Sequence, residues 1–523
     1  MGVKFQTLDK IKKKEILILI LCLLIGFTLR FYNFDQKSLW IDEIHTFNDS
    51  RDDFKSQLNF YKENPTFLHP PLFFILTHLF YPFTQPERDL RIIPLIFGTL
   101  SIPMIFLLAR SFSPAIALPC TLSLTFMAYH ISLSQDGRSY SLLMFLGMAG
   151  LYFFLKHLKT SKNRYLILVA FFFAILFHTS YSSIPFIAIS QILWFYQIRE
   201  DDKKPALSSF LILNSLILLL CIPWLLFVGL HYKSQPVLDS FSSQSTGSFL
   251  SIMYGVFNDW VPYILLSIAS AIFLILLPFF LKNRKNGLAL LTVFILPVGG
   301  LLLFCKIFDI NHFFNSRYFI NFLPLFLISL YLSLNAIEVK FEKIKRFLQL
   351  RFLFVIFFIA SNLMILPLYY RSEKQDFRGL VIYLESKLRD EDKIYVRSIA
   401  YIPGILYYFG VKPESRHYHT PFEQDDSGKG IKFKISLIHQ KRKFSILHSS
   451  TCCAQYVADG GRLWVLVGQP DAKEIKEKSP CVLKGYFDGS FSNFRRFPSD
   501  ASMFLFLWDP QSPEEKGIEM PIE

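Results

Sequence analysis

Charge is scarce in this chain of 523 residues: only 18% are Asp, Glu, Lys or Arg, against 52% apolar and 17% aromatic, and mean hydropathy is +0.36. That shortage excludes a soluble enzyme folded around one compact core, because 58 phenylalanines set in long uncharged runs require lipid rather than water as their surroundings. Cysteine is sparse as well. Of the seven present, Cys22, Cys120, Cys221 and Cys305 fall inside apolar runs, where a thiol is a small packing residue. Cys481 can pair with either Cys452 or Cys453, which leaves one thiol over. Adjacent cysteines lack the ligand spacing of a zinc site, and His417 and His419 are not at finger-like intervals, so no metal is expected there. No internal repeat points to a solenoid. The first apolar run leads into Arg30-Phe31-Tyr32-Asn33 without the small residues of a cleavage site, so it is expected to persist as a first span.

Acidic residues are the rarer sign, and the location of the imbalance is informative. Formal net charge is +14, yet residues 372–523 hold 22 Lys/Arg against 21 Asp/Glu, so nearly all of the excess precedes them. A surplus confined to the flanks of apolar segments reads as membrane topology, and a nucleic-acid partner is not expected.

Runs long enough to cross about 30 Å of hydrocarbon begin at Ile16 to Phe31 and recur near 90–110, 114–134, 140–156, 207–230, 261–281, 287–305, 318–336 and 350–370. Between 165 and 197 a continuous apolar stretch is interrupted by His178-Thr179-Ser180-Tyr181-Ser182-Ser183-Ile184-Pro185, which predicts two short helices meeting at a polar elbow. Counting the elbow as two crossings predicts about eleven spans. The clusters Lys10/Lys12/Lys13/Lys14, Lys156/Lys159/Lys162/Arg164, Lys203/Lys204, Lys282/Arg284/Lys285 and Lys340/Lys343/Lys345/Arg346 then share one side, expected to be the cytoplasm. Pro70 to Phe83 would invert every later loop if it crossed, so it is expected to be a juxtamembrane or partly inserted helix on the outer face. The expectation is a polytopic α-helical membrane domain over 1–371, with a first outer loop at 33–69, followed by a small extracytoplasmic α/β domain over 372–523. In the latter, Asp376 to Leu388 has helical periodicity, and Lys393–Ser398, Lys432–Leu437, Leu463–Val467 and Met503–Trp508 resemble strands.

Chemistry gathers in the first outer loop, which reads Ser38-Leu39-Trp40-Ile41-Asp42-Glu43-Ile44-His45-Thr46. Two adjacent carboxylates and a histidine, flanked by Trp40, Ile41 and Ile44, would stand at the membrane boundary, where partial desolvation suits a general base. The plainer alternatives are a solvated acidic loop, or Asp42 capping a short helix. His69-Pro70-Pro71 closes the same loop. Gln135, Asp136, Arg138 and Tyr140 sit where one span ends and the next begins, and Asn315-Ser316-Arg317-Tyr318 repeats that placement. Interfacial cations beside lipid call for a partner of opposite sign, and a phosphate suits the guanidinium forks of Arg138 and Arg317; snorkelling, or pairing with Asp136 or Asp309, is the alternative. The elbow reads as a cavity wall, although His178 also reads as a core histidine bonded to a neighbouring helix.

An Asp-Glu pair after the first span, His69-Pro70-Pro71-Leu72, the Gln135-to-Leu142 segment, the His178-Thr179-Ser180-Tyr181 elbow and Ser316-Arg317-Tyr318-Phe319 together resemble the class C glycosyltransferases. The likeness is to the branch of protein O-mannosyltransferases and bacterial lipid A aminoarabinose transferases, and it covers residues 1 to about 371. It implies a polyprenyl-phosphate-linked sugar as donor and an active site on the outer side of the membrane. Transfer would invert the sugar's configuration, and the acceptor would be a lipid, glycan or protein. By this resemblance Asp42 aligns with the base, with Glu43 beside it; His45, His69, Asp136, Arg138, Tyr140, His178, Arg317 and Tyr318 are the expected substrate-binding residues. The chain departs from the mannosyltransferases where Phe73-Phe74 replace Gly-Lys after Pro70-Pro71-Leu72, so either Arg138 or Arg317 serves at the donor phosphate or the donor is held differently. Asp136-Gly137 likewise replaces Glu-Ala. No cofactor is implied; Asp42-Glu43 could bind a divalent ion, but no further carboxylate is fixed nearby. The expected setting is the plasma (inner) membrane, N-terminus cytoplasmic and C-terminal domain periplasmic. A transporter or flippase shares the many spans and outer arginines, yet would place ionisable residues at mid-membrane. A polyprenyl-linked oligosaccharide ligase would carry a much longer outer loop elsewhere.

Overall fold

The computed structural model describes residues 11–63, 69–192, 207–232, 248–280, 284–307, 315–341, 349–411, 423–424, 431–448, 461–489, 502–512 and 516–521. The chain divides into two compact units. One comprises 1–34, 52–83 and 89–367; the other comprises 35–51, 84–88 and 368–523. The first outer loop is thus shared between them, and its Asp-Glu segment belongs with the C-terminal residues.

The first unit is helical. Among the described residues, five helices are long and apolar enough to cross a membrane: Pro86–Phe112, Tyr140–Thr160, Leu207–His231, Ser316–Lys340 and Leu350–Arg371. Two bent pairs, Pro114–Phe126 with Ala128–Ser134 and Phe249–Trp260 with Ile264–Phe280, raise the number to seven when each pair is one span. About eleven were expected from apolar runs; the count of five to seven covers the described residues alone, and Arg284–Ile307, 24 residues long, is a further helix over the expected run 287–305. Lys13–Phe31 carries charges at both ends, and the stretch around the elbow resolves into Asn163–Thr179, a 3₁₀ turn Tyr181–Ser183 and Ile184–Ser190. Between Pro70 and Phe83 only Leu72–His78 is helical, too short to span. Tyr140–Thr160 and Ser316–Lys340 are mostly buried, whereas Leu207–His231 exposes Leu211, Leu218, Leu219 and Leu226. A helix apolar all round with its outer side bare is lipid-facing.

Small residues let the helices approach. A Cβ on Gly150 would stand 2.6 Å from the ring of Phe173, so Tyr140–Thr160 and Asn163–Thr179 lie against each other as a hairpin. Ser161, at φ 53°, closes the turn between them.

The bend at Met127 releases backbone groups that hydrocarbon cannot solvate. Arg30, fully buried at the end of the first helix, donates to the carbonyls of Leu124 (3.0 Å) and Thr125 (3.2 Å), to Gly26 (2.9 Å), and meets His130 Nδ1 at 2.8 Å. From the other side Asn362 Oδ1 accepts the N–H of Ala128 at 2.8 Å. The 60° bend is therefore completed by two distant helices. Replacing Arg30 with Met strands those carbonyls; a loss of about 3 kcal/mol of stability is expected, read as reduced yield and a lower melting temperature in detergent.

Hydrogen bonds order the ends of the bundle. At one end Arg110 pairs with Glu15 (3.0 Å) and Arg351 with Glu338 (2.8 Å), while Arg351 also donates to the Ala115 carbonyl (2.6 Å) and Lys159 to that of Ser111 (3.4 Å). Lys13, Lys14, Lys156 and Lys340 lie at the helix ends gathered there. The opposite end holds the 30–34, 129–140 and 315–322 segments.

In the second unit a seven-stranded mixed sheet has the order β2-β3-β4-β1-β5-β7-β6. The strands are β1 Lys393–Val396, β2 Glu423–Gln424, β3 Ile431–His439, β4 Arg442–His448, β5 Leu463–Gly468, β6 Val482–Phe487 and β7 Met503–Trp508. β1 is parallel to both β4 and β5; the other pairings are antiparallel. Every residue of β5 is buried, as its unbroken apolar sequence requires. The helix Phe377–Lys387 starts on Asp376, whose Oδ1 accepts the Gly379 N–H at 2.7 Å; burial holds that carboxyl above the usual range. Cys481 is buried. Cys452, Cys453, His417 and His419 lie outside the described residues.

Candidate active site

The Asp-Glu pair opens the helix Ile41–Ser50, in the second unit. Ile41 is its first residue, so Glu43 is third and reaches back: its Oε2 accepts the Trp40 N–H at 3.4 Å, and the side chain is fully buried. Asp42 is half-buried, one position earlier, and His45 follows three residues later on the same face. Thr46 Oγ1 closes the turn on the Asp42 carbonyl at 3.1 Å.

The strand-like approach to this helix is pinned by residues from the far end of the sequence. The Ser38 N–H donates to Glu373 Oε2 (2.9 Å), that of Leu39 to the Tyr408 hydroxyl (2.7 Å) and that of Ile41 to Gln375 Oε1 (3.1 Å). Lys374 lies over the buried Trp40 ring, 5.0 Å from its centroid, and Phe47 meets Tyr407 edge-on at 5.2 Å. Arg378 donates to the carbonyl of Gln36 (2.9 Å) and pairs with Glu87 (2.9 Å). Burial and the Glu87 carboxylate push the Tyr408 hydroxyl up, so it stays protonated throughout the working range and donates to Glu87 at 3.2 Å.

The first unit carries a second cluster. Ser316 Oγ bridges Asp259 Oδ2 (2.5 Å) and the buried Tyr129 hydroxyl (2.8 Å). Asn315 Oδ1 accepts the Arg317 N–H at 3.2 Å and so starts the 3₁₀ segment Ser316–Phe322. The Arg317 guanidinium then stands 5.8 Å from the Tyr140 ring centroid and 5.9 Å from that of Tyr318. Gln135 donates to the carbonyls of Arg30 (2.8 Å) and Tyr32 (2.7 Å), fixing the turn in which the Arg138 N–H meets the Asp136 carbonyl at 2.6 Å. Asp136 is buried and Arg138 half-exposed. A guanidinium framed by two tyrosine rings, with a carboxylate and hydroxyls beside it, is suited to an anionic head group attached to a sugar.

Of the residues singled out from sequence, Asp42, Glu43 and His45 share one helix, and Tyr140, Arg317 and Tyr318 form one cluster, with Asp136 and Arg138 at the turn that precedes Tyr140. His69 is exposed beside the buried Pro70. His178 Nε2 meets the Leu220 carbonyl at 3.1 Å, and Tyr181 accepts from Trp224 Nε1 at 2.8 Å, so the elbow is tied to Leu207–His231. Helix-tying is the second of the two readings that the sequence left open for His178. Tyr129 and Asp259 were missed. Asp259 had a signal, as a carboxylate beside Trp260 at the margin of an apolar run; Tyr129 had none. Among the described residues no group of three or more His, Cys, Asp or Glu side chains is arranged to hold a metal ion.

These positions can be set beside known proteins. Residues 68–227 match the family model described as dolichyl-phosphate-mannose-protein mannosyltransferase. The resemblance to class C glycosyltransferases is borne out by this match. The mannosyltransferase match includes His69, the Gln135–Tyr140 turn and the elbow; Asp42 and Arg317 lie outside it. No curated protein matches the chain. Among solved structures, similarity is found to ArnT from Cupriavidus metallidurans bound to undecaprenyl phosphate, at 12% identity over 94% of this chain and 97% of that one, with a TM-score of 0.49. The same protein in the apo state gives 12% identity over 96% and 99%, with a TM-score of 0.46. An Archaeoglobus fulgidus oligosaccharyltransferase in complex with Zn and sulfate gives 14% identity over 78% and 58%, with a TM-score of 0.40.

Proposed function

We propose that the chain is a membrane glycosyltransferase that moves a sugar from a polyprenyl-phosphate donor to a lipid, glycan or protein acceptor on the extracytoplasmic face, with inversion. The mannosyltransferase match over 68–227 carries this reading, since that family's description names dolichyl-phosphate-mannose, a sugar on a polyprenyl-type phosphate. The helix ends that gather the basic residues face the cytoplasm in this reading, so the Arg317–Tyr140 cluster, at the opposite end, faces outward. The enzyme sits in the plasma membrane with the C-terminal unit outside.

The chemistry needs one base and a few cations. Asp42 takes the proton of the acceptor hydroxyl, whose oxygen attacks the anomeric carbon. The bond from that carbon to the phosphate oxygen breaks, and the lipid phosphate leaves with the electron pair. Arg138 and Arg317, with His69, balance its charge. A phosphate leaves without being protonated, so the second carboxylic acid of glycoside hydrolysis is not required.

The protein in liposomes is expected to convert polyprenyl-phosphate sugar to polyprenyl phosphate only when an envelope extract supplies acceptor, as read by thin-layer chromatography. Donor that crosses the bilayer but is never split would overturn the reading in favour of a transporter. Mass spectrometry of lipid A, surface glycans and envelope proteins with and without the gene identifies the acceptor.

A further inference from the structure

Every backbone N–H from Ser38 to Ile41 is bound by a side chain, and three of the four acceptors come from residues 373–408. Ser38 meets Glu373, Leu39 meets Tyr408, Ile41 meets Gln375, and Trp40 meets Glu43 of its own helix. The carbonyls are held as well: Arg378 takes that of Gln36 at 2.9 Å and that of Lys37 at 3.4 Å. Lys37 itself donates to the Tyr369 carbonyl at 2.5 Å with its ammonium over the Tyr369 ring. Consecutive amides of an isolated segment would otherwise be satisfied by water or by strand pairing. Binding each one to a separate side chain fixes both the direction in which the chain enters the helix and the rotation of its first turn. Asp42 lies in that first turn, one residue beyond Ile41.

Tyr408 is the hub. Its hydroxyl accepts from the Leu39 N–H (2.7 Å) and from Ser38 Oγ (3.2 Å) and donates to Glu87 Oε1, which Arg378 also engages. The ring of its neighbour Tyr407 packs on Phe47 of the Asp42 helix. One short helix, Ile402–Tyr408, therefore holds the Asp42 helix at its entry and along its side.

We infer that Tyr408, Gln375 and Glu373 are positioning residues that set the Asp42 carboxylate for proton transfer, giving residues 373–408 a part in the reaction without contact with substrate. The inference rests on Asp42 being the base. Misplacing a reacting group by about 1 Å costs up to about 100-fold in rate, whereas a group that only supports folding changes yield and melting temperature and leaves the rate of the folded fraction alone.

The test uses the full-length protein in liposomes with saturating acceptor extract. Tyr408→Phe keeps the ring and removes the hub; kcat is expected to fall about 10- to 100-fold with the KM for donor within about twofold. Hydrogen exchange of the 38–41 amides is expected to quicken. Gln375→Leu should behave likewise, and Gln375→Glu, which keeps an acceptor for the Ile41 N–H, should recover most of the rate. In an Asp42→Asn background Tyr408→Phe should cost nothing further, because two changes on one path are not additive. Tyr408→Phe with the parent kcat, beside an Asp42→Asn enzyme that has lost activity, overturns the positioning role and leaves the base in place. The same factor lost in both backgrounds also overturns it. Undiminished activity in Asp42→Asn alone removes the base, and with it the role of Tyr408, and is read from a different variant.

Discussion

Asp42→Asn is expected to lower sugar transfer by about two to four orders of magnitude while the protein folds and reaches the membrane at the parent level. Asparagine has the same shape and is equally at home in the first turn of a helix, so the Ile41–Ser50 helix keeps its entry and its capping bond from Glu43. What it loses is the ability to accept a proton. Glu43 does not stand in, because it is fully buried with one carboxylate oxygen turned toward the Trp40 N–H. The measurement is polyprenyl phosphate released per mole of protein at saturating donor. A rate within a factor of two of the parent would remove Asp42 from the mechanism.

Arg317→Ala is expected to cost about 100- to 1,000-fold in kcat/KM, the range for losing one preorganised group that stabilises developing charge. The guanidinium lies between the Tyr140 and Tyr318 rings, and its backbone is fixed separately by Asn315, so the 3₁₀ segment survives removal of the side chain. Arg317→Lys keeps the charge but not the planar fork, and is expected to recover only part of the loss. Binding of polyprenyl phosphate alone should weaken in both variants. Unchanged product affinity in Arg317→Ala would show that the leaving phosphate is held by other groups.

Some of this was written locally in the sequence. The unbroken apolar runs at Leu463 and Met503–Trp508 announce β5 and β7, and a run of His, Thr, Ser and Tyr inside an apolar stretch announces the elbow. Other elements carry no local signal. β4 is preceded by Gln440 and Lys441, both at positive φ (49° and 66°), a hairpin turn that the sequence makes without the usual Asn or Gly. The helix Gln469–Lys478 is mostly charged, with only Ala472 and Ile475 buried among its described side chains, too few to reveal a period. At the candidate site the residue types were legible and their roles were not. Sequence weighed Asp42 as the helix cap, but the reach-back position is the third of the helix, which is Glu43. Glu373, Gln375 and Tyr408 were not singled out, because they meet residues 334 to 369 positions away and nothing local records such contacts.

The bend at Met127 also imposes an order on biosynthesis. Arg30 leaves the ribosome 94 residues before Leu124, the first of the two bend carbonyls it serves, and Asn362 follows the amide it caps by 234. Until the last long helix has been inserted, the Ala128 amide lacks its native acceptor, so the bend matures only when translation of the membrane part is nearly over. Reporter fusions made upstream of residue 362 would record an immature intermediate at this point, and a quality-control protease surveying the bilayer would find its substrate there.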